Sequence, residues 1–223
     1  MKKQSGFGHE FGPNFGALFT LLALLACGGC LSISDSPTPR FYALQAMAPA
    51  QDVKKINLPK QLLIGVGPVK LPEYLNRPQM VTQNTNSLLT FAQFDRWGEP
   101  LEFALPRVIA ENLSAMTPDA TFARAPWDMD MPLNYQVIMD IVRMDSRLDG
   151  DLRLTVQWAV INPKNRKMLF MKKSEIVKPI EPRNYAGLAE TLGRECATLS
   201  AEIAEELASL AVQDQAKTNE FVR

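Results

Sequence analysis

The chain has 223 residues, 46% of them hydrophobic and 22% charged, with 24 basic residues against 24 acidic ones. That composition belongs to an ordinary globular protein with room for one domain and its own core. With no basic surplus to neutralise phosphates, nucleic-acid binding is not expected.

Lys2 and Lys3 precede an apolar run from Ala17 to Ala26. A run of about ten residues is too short to cross a ~30 Å hydrocarbon layer as a helix, and it suits the apolar stretch of a secretory signal. The polar stretch Gln4–Asn14, with Glu10, is longer than such signals usually carry. The run ends in Leu24-Leu25-Ala26-Cys27. A leucine three before a cysteine, with a small residue just before it, resembles the bacterial lipobox. Cleavage is therefore expected after Ala26, with acylation of Cys27. Cys30 is the weaker candidate, because Cys27-Gly28-Gly29 would then have to fill the recognition positions. A single acyl chain binds membranes only marginally, whereas two or three hold firmly. Gly28, rather than an aspartate, follows the cysteine. By the sorting rule of Gram-negative lipoproteins this favours the outer membrane, on its periplasmic face. Ser32–Thr38 reads as a Ser/Pro tether. The expected organisation is a signal peptide over 1–26, a lipidated N-terminus and tether over 27–39, one domain over 40–212 and a flexible tail over 213–223.

Removal of the signal takes away Lys2, Lys3 and Glu10, leaving 22 basic against 23 acidic residues, and it takes His9, the sole histidine. A mature chain without histidine has no Ser-His-Asp or Cys-His set, no imidazole base and no histidine metal site. Neither an enzyme nor a cofactor or metal is expected. The Cys27-x-x-Cys30 spacing lacks the βαβ context or second ligand pair that a redox or zinc site needs. Cys196, inside an apolar helical pattern, reads as a small core residue.

Along the folded part, Arg40–Leu44 predicts a first strand, and Leu62–Val69 a second with an edge or bulge at Pro68. Leu71–Pro78 is turn-forming. Met80–Thr82 and Leu88–Phe91 predict a hairpin around Asn84-Thr85-Asn86. Leu105, Val108, Ile109, Leu113 and Met116 recur at helical spacing and predict a helix over about Leu101–Met116, closed by Thr117-Pro118. Pro106 implies that this helix either begins near Leu105 or kinks there. Tyr135, Val137, Met139 and Ile141 alternate with more polar neighbours. Leu152, Leu154, Val156, Trp158 and Val160 repeat the alternation after Asp149-Gly150. With a third strand around Lys167–Val177 beyond the Asn162–Asn165 turn, these predict a three-stranded meander with one buried face. A last helix is expected from about Tyr185 to Leu210. Its stripe of Tyr185, Leu188, Leu192, Cys196, Leu199, Ile203, Leu207 and Leu210 fits either packing on the sheet or a coiled-coil seam. The fold class is α+β, a single domain with an antiparallel sheet and two packed helices.

Three segments carry a resemblance. "GPVKLPEYLNRPQMVTQ" (Gly67–Gln83), "WGEPLEFALPRVIAENL" (Trp97–Leu113) and "RLDGDLRLTVQWAV" (Arg147–Val160) occur in order behind the lipobox. Together they resemble the PqiC-type, or ABC-type transport auxiliary, lipoproteins over about Arg40–Leu210. Pro106 departs from the helix this family implies there. The resemblance implies a homo-oligomeric lipoprotein that docks an MCE-domain protein, with permease and ATPase as separate chains, in lipid transport between envelope membranes. The chain itself holds no G-x-x-x-x-G-K-[ST] phosphate loop. Within Leu71–Pro78, Tyr74, Leu75 and Arg77 are the expected contact residues, since Tyr and Arg are common at interface hot spots. The alternative is that Pro72 and Pro78 shape a turn while Tyr74 caps the core edge. Trp97 and Trp158 are expected as core anchors. A second functional reading is a periplasmic lipoprotein that itself holds one hydrophobic ligand in a closed apolar pocket.

Overall fold

The computed structural model describes residues 37–47, 55–59, 61–84, 88–127 and 130–221, with side chains as far as 217. Cys27, Cys30, the signal segment, most of the tether and the Thr85-Asn86 turn lie outside the described residues.

The elements follow in the order β1 (Arg40–Tyr42), β2 (Leu63–Lys70), a 3-10 turn (Glu73–Leu75), β3 (Gln79–Gln83), β4 (Leu89–Trp97) and α1 (Leu101–Met116). Then come β5 (Thr121–Arg124), β6 (Tyr135–Ser146), β7 (Asp151–Ile161), β8 (Met168–Pro179) and α2 (Tyr185–Phe221). The α+β class with two helices is as expected. The strands divide into a three-stranded sheet ordered β1-β4-β3 and a five-stranded sheet ordered β5-β2-β6-β7-β8. Both sheets are mixed. The β6-β7-β8 meander and the β3-β4 hairpin are antiparallel, while β1 runs parallel to β4, and β2 parallel to both β5 and β6. The parallel pairs join segments with a helix or hairpin between them, a connection that local turn signals do not announce.

Pro68 sits where the register shifts between Val66 and Val69, so it marks a bulge in β2. Gly67 beside it has φ +108, a left-handed backbone that a side chain resists. The helix expected at Leu101 begins there and runs through Pro106. Phe103 and Ala104 N–H both donate to the Pro100 carbonyl, so the first turn closes ahead of the proline. Pro106 itself is buried and packs as an apolar residue. β5 has no counterpart in the sequence expectations: Thr121–Arg124 is too short to show an alternation.

The α2 stripe packs on this chain's own sheet and on α1, as the first of the two readings required. Leu188, Leu192, Cys196, Leu199, Ile203 and Leu207 are all buried. Burial pushes the Cys196 thiol up to about 12, so it stays protonated and inert. The helix extends past Leu210 to Phe221. No Gly or Pro interrupts Gln213–Phe221, and the Tyr135 hydroxyl donates to Asp214 at 2.6 Å, tying the added turns to β6.

Trp158 is the largest fully buried side chain. Its Nε1–H donates to Ser174 Oγ at 3.0 Å, Ser174 donates to Glu202 Oε2 at 2.6 Å, and Lys172 Nζ lies 2.9 Å from the same oxygen. This relay satisfies the one polar atom of the indole and joins β7, β8 and α2.

Candidate functional site

The Leu71–Pro78 segment is built from its prolines. Pro72 precedes the 3-10 turn and its carbonyl accepts from Leu75 N–H at 2.9 Å; Pro78's carbonyl accepts from Trp97 N–H at 2.7 Å. Between these fixed points the three expected contact residues take different places. Leu75 is 2% exposed and belongs to the core, so its side chain is not presented at the surface. Tyr74 is half-buried, and its hydroxyl accepts a long 3.4 Å bond from Met144 N–H on β6. Burial pushes its phenol up from the ordinary value, which keeps it neutral. Arg77 lays its guanidinium over the Phe91 ring on β4, 4.0 Å from the centroid.

The segment therefore straps the two sheets together: Tyr74 reaches the five-stranded sheet and Arg77 the three-stranded one. Tyr74 at the core edge agrees with the turn-shaping alternative. Arg77 and the 44%-exposed Phe91 form a cationic and apolar surface pair. Arg77 Nε is buried with no hydrogen-bond partner. Trp97 and Trp158 are core residues at 5% and 1% exposure.

The segment holds no nucleophile–base pair. Ser174 has a carboxylate and a lysine nearby, but it is 4% exposed and its hydroxyl is spent on Glu202. Among the described residues, no group of three or more Cys, His, Asp or Glu side chains could hold a metal ion. None of their helices is long and apolar enough to cross a membrane.

One surface was not singled out from the sequence. Across the open face of the five-stranded sheet runs a groove of about 490 Å³, lined by Lys70, Ile138, Ile161, Arg166, Met168 and Met171 among others. Its signal was present as the cluster Lys164, Arg166, Lys167, Lys172 and Lys173 around two methionines. Alternation alone assigns such residues to solvent.

The profile described as "ABC-type transport auxiliary lipoprotein component" matches residues 42–204, and the chain belongs to this family. Two solved structures share the fold. A protein of uncharacterised function is 20% identical, with a TM-score of 0.62 and coverage of 77% of this chain and 99% of the other. A protein from Xanthomonas campestris is 14% identical, with a TM-score of 0.61 and coverage of 80% and 99%. At these identities the likeness concerns the fold alone. No curated protein matches the sequence.

Proposed function

We propose that this chain is a non-enzymatic, lipid-anchored auxiliary component of an ABC transport system, seated on the periplasmic face of the outer membrane. The observation that carries the reading is the family match over residues 42–204, in a chain whose Leu24-Leu25-Ala26-Cys27 resembles a lipobox. In this role residues 1–26 are the signal, Cys27 bears the acyl chains and 27–39 tether the domain. The partner is an MCE-domain protein served by separate permease and ATPase chains, the cargo is lipid, and the domain acts as a homo-oligomer. The Arg77–Phe91 pair and the exposed edge of Tyr74 are the contact surface of the Leu71–Pro78 strap, with Leu75 holding it in place from the core.

Affinity purification of the full-length protein from gently solubilised membranes, with mass spectrometry of its companions, tests this. An MCE-domain protein recovered with permease or ATPase is the expected result. Recovery of the chain alone with a stoichiometric lipid would favour the ligand-binding reading. The anchor is tested separately, since Cys27→Ala should free the exported protein from membranes; an exported variant that still fractionates with them overturns acylation at Cys27.

A further inference from the structure

The far edge of β8 is unpaired. β8 is the last strand of its sheet and bonds only to β7. Among the described residues, no backbone hydrogen bond reaches its other side. At 12 residues it is a long edge, and an edge of that kind is a template for another strand. The groove described above runs beside it. Met168 and Met171 stand 49% and 46% exposed there, beside their cross-strand partners Ile161 and Ala159 on β7, which are buried.

Charge then narrows the occupant. Residues 164–178 contain Lys164, Arg166, Lys167, Lys172, Lys173 and Lys178 against Glu175 alone, in a chain whose net charge is +0. Lys172 pairs with Glu202 and Lys173 with Glu175. Lys164, Arg166, Lys167 and Lys178 make no ion pair with a described residue. Lysines on an edge strand commonly guard against strand addition. That guard is selective. Like charges facing each other across two strands are unfavourable, so a second copy of β8 is repelled, whereas an acidic strand is attracted.

The chain enters the domain at Pro39, and the segment after β1 lies against Gly193 near the start of α2. Asn162, at the β7–β8 turn, shares a cavity with Ala211, Asp214 and Gln215 near its end. The intervening helix at 1.5 Å per residue separates the basic turn from the segment after β1 by about 30 Å.

We infer that the free edge of β8, with the Met168–Met171 groove beside it, docks an extended acidic segment of a partner protein whose alternate side chains are apolar. Main-chain pairing would supply affinity, the methionines would adapt to the apolar side chains, and the Lys164–Lys167 turn would steer the acidic ones. The inference rests on the proposed role only in expecting a partner chain.

The test uses full-length protein held by its own anchor in phosphatidylcholine vesicles. The probes are a short peptide alternating glutamate and valine and its lysine–valine counterpart, with hydrogen exchange of the β8 amides as the readout. The glutamate peptide should slow exchange over Met168–Lys178, and the lysine peptide should not. Reversing the turn charges (Lys164→Glu, Arg166→Glu, Lys167→Glu) should weaken binding by roughly tenfold or more, an effect that salt mimics. Met171→Ser, on the open face, should weaken it while leaving the fold intact. Equal protection by both peptides, or protection elsewhere with β8 unchanged, overturns the inference. So does protection of β8 by phosphatidylglycerol vesicles without any by the peptide, which would make the ligand a lipid surface. Because only purified chain is used, this result and the companion-protein result can fail independently.

Discussion

The two faces of the five-stranded sheet are made by the same strands and meet opposite fates. On the helix-covered face Leu152, Leu154, Val156, Trp158 and Val160 are each 2% exposed or less. On the open face Met168, Met171 and Val177 remain 46–55% exposed, with Lys173 and Glu175 between the last two. The covered face is finished by α1 and α2, including a polar relay that pairs the Trp158 N–H. Near β2 the open face is closed over, where Trp127 and Leu133 lie so close to Gly65 that an added Cβ would meet both at 2.8 Å. A pleated strand directs its side chains to two sides whatever covers them, so alternation reports orientation and not partnership. The paired methionines Met168 and Met171, left exposed beside a free strand edge, are the part of this face on which the proposed docking rests.

If the covered face holds the stability, Trp158→Ala should be the most damaging change. It empties the largest buried site, where Phe170 packs with its ring centroid 5.3 Å away, and it removes the bond that Ser174 accepts while Ser174 keeps its bond to Glu202. A loss of about 3–5 kcal/mol is expected in urea unfolding; a loss below about 1 kcal/mol would show that this face is not the core's centre.

Gly65→Ala probes a place where the open face is covered. Trp127 or Leu133 must shift, at a cost of about 1–3 kcal/mol. A shift in indole fluorescence should accompany it, and an unchanged spectrum at unchanged stability would mean the ring does not pack on Gly65.

Glu202→Gln sharpens the relay's part. Burial pushes the Glu202 carboxyl up, but the hydrogen bonds from Lys172 and Ser174 and the lysine's charge outweigh it, so the group sits below its ordinary value of 4.5. A carboxyl depressed on folding stabilises above its unfolded value and loses that contribution as the pH falls through the folded one. Wild-type protein should therefore lose more stability than Glu202→Gln as the pH is lowered below about 4.5. At neutral pH the substitution should cost about 1–2 kcal/mol, since a charge-assisted bond becomes a neutral one. Parallel pH profiles for the two proteins would remove Glu202 from the relay.

Met171→Ser on the open face should change stability least, by about 0.5 kcal/mol or less, although it alters an equally apolar side chain. A large loss there would mean that the open face is part of the folding core and not a surface awaiting a partner.

Much of the chain's local order was legible from the sequence because it follows from local rules. The Leu101–Met116 spacing, the Asp149-Gly150 turn and the α2 stripe each name an element by a period or a turn dipeptide that acts within a few residues. The α+β class, Trp97 and Trp158 as core residues and Cys196 as a small core residue follow from the same patterns. Helix propagation without a Gly or Pro stop carried α2 past Leu210, where declining hydrophobicity had suggested its end. What tertiary structure alone decided are the long-range pairings. β5 is a strand because β2 offers it an edge, and β2 runs parallel to β6 across more than sixty intervening residues. The fates of Tyr74, Leu75 and Arg77 were settled in the same way. The turn chemistry of Pro72 and Pro78 was local, but which of the three side chains faces core, sheet or solvent depends on where β4 and β6 lie. Sequence patterns encode what a residue prefers, and only the packed fold decides which neighbour satisfies that preference.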